Sequence, residues 1–222
     1  MDIESFLKDL PPAEGGPKYS LKSVDSLEED VRQALLKLIE RSSKSSGQLR
    51  TLLLEKEFPV QLVDQMIDRF YIAAKNTGID KGFKNYSPYE LLIIASMVQS
   101  EGDLTDFPKI ARVIYNRLEI GMPLQINATI DYATNTRGKI RLPYKRLDTN
   151  SKYNTYKYRG LPPGPISNPG EKALEATVNP ASGDWLYYVT VKPNDTRFTK
   201  SFDQFNIWAN EFRKNEDAGL FN

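Results

Sequence analysis

Apolar residues recur along this chain in separated runs, most of them at the three- and four-residue spacing of one helix face. Ser26 and Glu29 form a capping-box pair, and Val31, Leu35, Leu38 and Ile39 follow, so a helix is expected to about Arg41. Ser42 to Gly47 breaks it, and a second helical piece is expected from about Gln48 to Lys56. A third starts at Pro59, carries Leu62, Val63, Met66, Ile67 and Phe70 on one face, and runs to about Lys75 before Gly78. Ahead of these, Pro11, Pro12, Gly15, Gly16 and Pro17 mark Leu10 to Lys22 as loop or linker.

The clearest helix start is Ser87, Pro88 and Glu90: a cap, a proline at the first position and a carboxylate at the third. Leu91, Ile94 and Val98 then stack on one face, and Glu101 is next in that series. Thr105 or Asp106 caps the following helix, with Pro108 in its first turn, Ile110, Val113, Ile114 and Leu118 inward, and Gly121 at its end. Met122 to Asn168 is rich in Gly, Pro, Asn and Tyr and reads as one long functional loop. A short helix follows from Gly170 to Val178, then a strand from Trp185 to Val191 with Phe198 on its hairpin partner. Ser201 caps a last helix bearing Phe202, Phe205, Trp208, Ala209 and Phe212 on one face. The pattern is α+β: a linker over 1–25, a helical accessory region over 26–85, a main domain over 86–215 and a tail over 216–222.

Composition removes whole classes of chemistry. The chain has 222 residues with no histidine and no cysteine, so Ser-His-Asp and Cys-His hydrolases, His-ligated zinc and thiolate metal sites are excluded. Carboxylates, Tyr and Lys remain for proton transfer. No metal site and no cofactor are expected. Lys and Arg number 30 against 29 Asp and Glu, a net charge of +1, which gives no electrostatic footprint for nucleic acid. Leu91 to Val98 falls far short of the roughly 20 apolar residues of a membrane span, and Met1 to Lys8 carries no basic start with an apolar segment. Any targeting segment or span is therefore expected outside this chain.

A carboxylate that ends a buried stripe is partly withdrawn from water, which raises its pKa and suits it to give a proton near neutrality. Glycoside cleavage needs such an acid on the leaving oxygen. The plainer alternative is that Glu101 caps its helix or pairs with Arg112. Asp103, Asp106, Asp131 and Asp148 are the other carboxylates in reach, with Asp106 a cap and Asp131 and Asp148 in polar stretches. Lys109, Arg112 and Arg117 either meet ligand carboxylates or form a solvated helix face.

Seven segments carry a resemblance: ASMVQSEG (Ala95 to Gly102), PKIARVIYNRL (Pro108 to Leu118), GMPLQ (Gly121 to Gln125), YNTY (Tyr153 to Tyr156), GLPPGPI (Gly160 to Ile166), NPG (Asn168 to Gly170), and NPA with WLYYV after it. In order and spacing, from about Ser87 to Phe205, they resemble the YceG-like, or MltG, family of endolytic murein transglycosylases. The resemblance implies a YceG-like catalytic domain and makes Glu101 the catalytic residue. Gln99 stands where the family has another glutamate, and the chain reads Gln125-Ile126-Asn127-Ala128-Thr129 where the family commonly has an acidic or Ser residue and then Pro before the Thr.

The implied activity is cleavage of the β-1,4 bond between N-acetylmuramic acid and N-acetylglucosamine without water, leaving a 1,6-anhydro end. By the same resemblance Gln125, Asn154, Thr155, Tyr156 and Asn168 line a cleft. As amides and hydroxyls they suit N-acetyl and sugar groups, while Asn154 and Asn168 equally suit turns. Tyr153, Tyr156 and Tyr158 either stack on sugar or fill core. Pro162, Pro163 and Pro165 stiffen the wall. Expected partners are peptidoglycan glycan strands and their synthases, the penicillin-binding proteins, at the outer face of the bacterial membrane. The family's LysM-like accessory region is not recognisable before about Phe58. A non-catalytic glycan-binding or scaffold module that recruits synthases is the alternative from another class, and a hydrolytic muramidase is a third reading.

Overall fold

The computed structural model describes residues 51–136 and 144–221, with positions 26, 27, 30, 31 and 34 ahead of them. The linker expected over Leu10 to Lys22 and the break at Ser42 to Gly47 lie outside the described residues. So does most of the helix expected to Arg41; the five described positions of that stretch are helical. The chain divides into two compact units, residues 1–71 and 72–222.

In the first unit, Val31, Leu53, Phe58 and Val63 form a small buried cluster, with Leu27, Ala34, Leu54, Leu62, Met66 and Ile67 packed on it. Residues 51–54 are helical, and helix α1 (Val60–Thr77) contributes Leu62, Val63, Met66 and Ile67 of the face expected of it, with Phe70 outside that cluster. The break between units falls inside α1 rather than near residue 86, because Ala73, Ala74 and Ile79 pack into the second unit's core.

The second unit is built around helix α2 (Pro88–Glu101). Its start is the full capping box: Ser87 Oγ accepts from the Glu90 N–H, and Glu90 Oε2 accepts from the Ser87 N–H at 2.8 Å. Such a cap stabilises a helix by about 1 kcal/mol. A single apolar stripe was expected, but Leu91 and every residue from Ile93 to Val98 are buried, so α2 is enclosed nearly all round. Burial of each aliphatic side chain contributes about 1.5–3 kcal/mol.

At Gly102 the chain turns out of α2 in an extended conformation. A Cβ there would lie 2.4 Å from Ile110 Cδ1 on helix α3 (Phe107–Glu119), so a side chain at this position would make the end of the Ile110 side chain turn aside. Asp106 occupies the N-cap of α3 but makes no side-chain cap bond.

The segment from Met122 to Asn168 is not wholly loop. It contains helix α4 (Asn127–Ala133) and a 3-10 turn (Tyr144–Asp148). Ile126, Thr129 and Ile130 are buried, and the Thr129 hydroxyl donates to the Ile126 carbonyl at 2.7 Å, a local contact that composition conceals. Helix α5 (Glu171–Val178) follows, with the Gly170 N–H donating to Gln99 Oε1 on α2 at 2.9 Å.

Strands β1 (Tyr187–Lys192) and β2 (Asp195–Thr199) pair antiparallel, Tyr188 opposite Phe198, and turn through Asn194 in the left-handed region. β1 begins later than the expected Trp185, because the carbonyls of Ala181, Gly183, Trp185 and Leu186 accept from Arg112, Asn116 and Arg117 of α3. Helix α6 (Phe202–Asp217), capped by Ser201, lies along β1. Its aromatic face is not a core face: none of its residues is buried, and Phe202 is 56% exposed. Among the described residues, no helix is long and apolar enough to cross a membrane.

Candidate active site

Three segments meet at the end of α2. Glu101 is the last residue of that helix, and its two carboxyl oxygens have different partners. Oε1 accepts from the Ala128 N–H in the first turn of α4 at 3.2 Å. Oε2 accepts from the Tyr188 hydroxyl on β1 at 2.7 Å. Neither partner is near in sequence, since Tyr188 lies 87 residues on.

Burial pushes the Glu101 carboxyl above the usual carboxylate range, and the charge of Asp131 adds to this. The bonds from Tyr188 and Ala128 and the charge of Arg117 oppose that rise without cancelling it. The residue as a whole is half-buried, and the carboxyl is the part withdrawn from water. Tyr188 is held well above a phenol's ordinary pKa by burial and by Glu101, and it therefore remains a donor. Tyr156 is pushed up to about 12, by burial first and then by the Glu101 charge, and its hydroxyl donates to Asn127 Oδ1.

The salt bridge considered between Glu101 and Arg112 does not form. Arg112 Nε donates to the Ala181 carbonyl at 2.6 Å. Arg117 is not on a solvated face either: at 7% exposure it is buried, with Nε donating to the Leu186 carbonyl and Nη1 to the carbonyls of Leu124 and Pro123. Arg117 falls seven residues after Ile110, on the stripe that Ile114 also shares, and that spacing was its signal in the sequence.

The expected cleft residues separate into two groups. Asn154 is fully buried: its NH₂ donates to the carbonyls of Leu147 and Thr149, and its Oδ1 accepts from the N–H groups of Tyr156 and Lys157. All four hydrogen-bonding positions of the amide hold the loop. Thr155 is also buried, its Oγ1 accepting from the Ile126 N–H and pairing with Thr129 Oγ1 at 2.9 Å. Gln125 and Asn168, by contrast, are exposed. Gln125 adopts a φ of 51°, sparsely populated for a residue with a side chain, while its N–H donates to the Thr155 carbonyl. Of the tyrosines, Tyr153 packs on Tyr132 with ring centroids 4.8 Å apart, and Tyr158 is 45% exposed.

The GLPPGPI segment is latched to α2. Ser96 Oγ accepts from the Ile166 N–H, and the Ser167 hydroxyl donates to the Ser96 carbonyl. Pro162 and Pro165 are buried and Pro163 is exposed. Asp131 is on α4 rather than in a solvated loop, 3.5 Å from Arg146 and accepting from the Thr136 hydroxyl. Asp103 and Asp148 are exposed. Among the described residues, no group of three or more Asp and Glu side chains converges as metal ligands would.

Known proteins resemble this arrangement at the level of sequence and fold. An endolytic murein transglycosylase of Bacillus subtilis is 42% identical over 121 residues, 54% of this chain and 33% of that protein. One of Streptococcus pneumoniae is 35% identical over 190 residues, 83% of this chain and 31% of that protein. The match thus spans about a third of each relative's length. The crystal structure of a yceG-like protein from Listeria monocytogenes superposes with a TM-score of 0.54 at 32% identity, covering 72% of this chain and 48% of that one. The pattern of the YceG-like family itself matches residues 53–211, which includes Glu101, both of its hydrogen-bond donors and the helix that carries Arg117, and the chain belongs to that family.

Proposed function

We propose that this chain is the catalytic part of an endolytic peptidoglycan transglycosylase, with Glu101 as its one acid/base. The observation that carries the reading is the state of that carboxyl: raised by burial and bonded by one donor on each oxygen, in a residue that is half-buried as a whole. Each oxygen has two lone-pair positions, so one donor apiece leaves room for the proton a sugar needs.

In the first half of the reaction the Glu101 proton passes to the oxygen linking muramic acid to glucosamine, and the C1–O bond breaks. The 6-hydroxyl of the same muramic residue then bonds to C1, and its proton returns to the Glu101 carboxylate. No water is consumed, the enzyme regains its starting state, and the product is a 1,6-anhydro ring. The nucleophile is part of the substrate, which removes the need for a second carboxylate to activate water and gives the attack the advantage of an intramolecular step. Asp131, occupied by Arg146 and Thr136, fits that economy.

Gln125, Tyr156 and Asn168 are the groups we assign to sugar contact, while Asn154 and Thr155 shape the wall from within. The substrate is nascent peptidoglycan, which places the action at the outer face of the bacterial membrane, beside the synthases that make the strands. The relatives' names, endolytic murein transglycosylase, support murein as the substrate.

Product analysis on defined uncross-linked glycan strands tests it. Wild-type protein is expected to release anhydro-muramoyl ends, and Glu101→Gln to release none while keeping its fold. Intact strands after prolonged incubation with the wild type would instead indicate a glycan-binding module, and reducing muramic ends a hydrolase.

A further inference from the structure

Arg117 is a cation buried near the carboxyl, and its hydrogen bonds go to main-chain carbonyls. Nε donates to the Leu186 carbonyl at 2.6 Å, and Nη1 donates to the Leu124 and Pro123 carbonyls. These carbonyls belong to the two segments that supply Glu101 with its donors. Tyr188 lies two residues beyond Leu186 on β1, and Ala128 lies four residues beyond Leu124 at the start of α4. A planar guanidinium holds donors at fixed angles, so one side chain sets the relative placement of both segments. The Tyr187 ring covers it, 5.4 Å from the guanidinium carbon.

We infer that Arg117 is the positioning residue of this site: its fork locks the β1 entrance to the α4 entrance, which fixes Tyr188 and the Ala128 N–H on Glu101. Its charge has a second effect. Four ionisable side chains act on the carboxyl or sit close enough to bear on it: Tyr188 from β1, Asp131 from α4, Tyr156 from the loop after the 3-10 turn, and Arg117 from α3. Of these Arg117 alone is a cation. It therefore limits how far burial raises the carboxyl and leaves the group able to take a proton back as well as give one. The consequence for turnover rests on the transglycosylase reading, whereas the coupling between Arg117 and Glu101 does not.

Carbon-13 titration of glutamate δ-carboxyls in the full chain, with Glu101 assigned by its loss in Glu101→Gln, reads the coupling directly. In Arg117→Met the Glu101 midpoint is expected to rise by about one pH unit. In Arg117→Lys, which keeps the charge and loses the fork, the midpoint is expected to rise by less than in Arg117→Met, since the cation stays while the placement of Tyr188 and the Ala128 N–H on Glu101 is loosened. There kcat on glycan strands should fall by about tenfold or more with KM little changed. A folded Arg117→Met with the wild-type midpoint overturns the inference. So does a folded Arg117→Lys with wild-type kcat. If Arg117→Met does not fold, Arg117→Lys decides. If the wild type yields no anhydro product, the transglycosylase reading fails, and the titration still settles the coupling.

Discussion

The Tyr188 hydroxyl donates to Glu101 Oε2 at 2.7 Å, joining a β-hairpin to the end of the helix at the centre of the domain. The tyrosine ring also stacks on Phe198 with centroids 5.7 Å apart, so its position does not depend on the hydroxyl alone. Tyr188→Phe should therefore keep the hairpin and remove only the donor. Because that bond lowers the Glu101 pKa, its loss moves the alkaline limb of the pH–rate profile upward. On the transglycosylase reading, kcat at neutral pH should fall by about tenfold, since a carboxyl whose conjugate base has lost a donor gives its proton to the leaving oxygen less readily. A pH–rate profile identical to wild type would refute this role for Tyr188.

The other oxygen of Glu101 offers a main-chain test. Ala128 occupies the second position of α4, where proline is tolerated, and its N–H points at Oε1. Ala128→Pro deletes the donor with no change to a side chain that contacts the carboxyl, and Ala128→Ser keeps it. The proline variant should show a raised Glu101 midpoint by carboxyl titration, with the serine variant at the wild-type value. Equal midpoints in the two variants would mean that the N–H contributes nothing to the carboxyl.

Glu101 also costs stability. Its folded pKa lies above its unfolded one, so the stabilisation associated with its protonation is complete below about pH 4.3, the ordinary glutamate value, and is lost as pH rises through the raised folded pKa. At any pH above that ordinary value the native state either takes up a proton or carries a charge that burial disfavours, and both cost stability. Glu101→Gln, whose amide can still accept from Ala128 and bond Tyr188, should have a higher Tm than wild type at pH 7. Each unit of raised pKa corresponds to about 1.4 kcal/mol. Thermal melts between pH 4 and pH 8 check the sign: the gap should close toward acid, and a gap that widens there contradicts it.

The sequence made the frame of this site legible and left its lining hidden, for physical reasons that differ residue by residue. Glu101 was visible because Leu91, Ile94 and Val98 mark a face and the carboxylate continues it. Helices α1, α2, α3, α5 and α6 and the hairpin follow from caps and periodicity, which are local signals. Helix α4 is seven residues long and held by tertiary contact, too short for periodicity to stand out from a Gly- and Asn-rich neighbourhood. Tyr188 sits beside Tyr187 in a strand whose residues are all half-buried up to Val191, so alternation did not say which ring turns inward. The Ala128 donor is a backbone group and has no signature in residue type. The charge of Arg117 suggests either ligand carboxylates or a solvated face, although its spacing places it on the buried stripe.

Asn154 separates a sugar-binding role from a scaffolding one. Its NH₂ donates to the Leu147 and Thr149 carbonyls, and both bonds are lost when oxygen replaces nitrogen. Asn154→Asp would set a buried carboxylate oxygen against two carbonyls while leaving the acceptor for Tyr156 and Lys157 in place. Losing two buried bonds at about 1–3 kcal/mol for each unsatisfied group should lower Tm by several degrees. The loss of activity should follow the loss of fold, with KM for short and long strands affected alike. If Asn154 instead read the sugar directly, the variant would melt at the wild-type temperature and show a raised KM. Calorimetry paired with strand kinetics on one preparation distinguishes the two, because only the scaffold role ties activity to Tm.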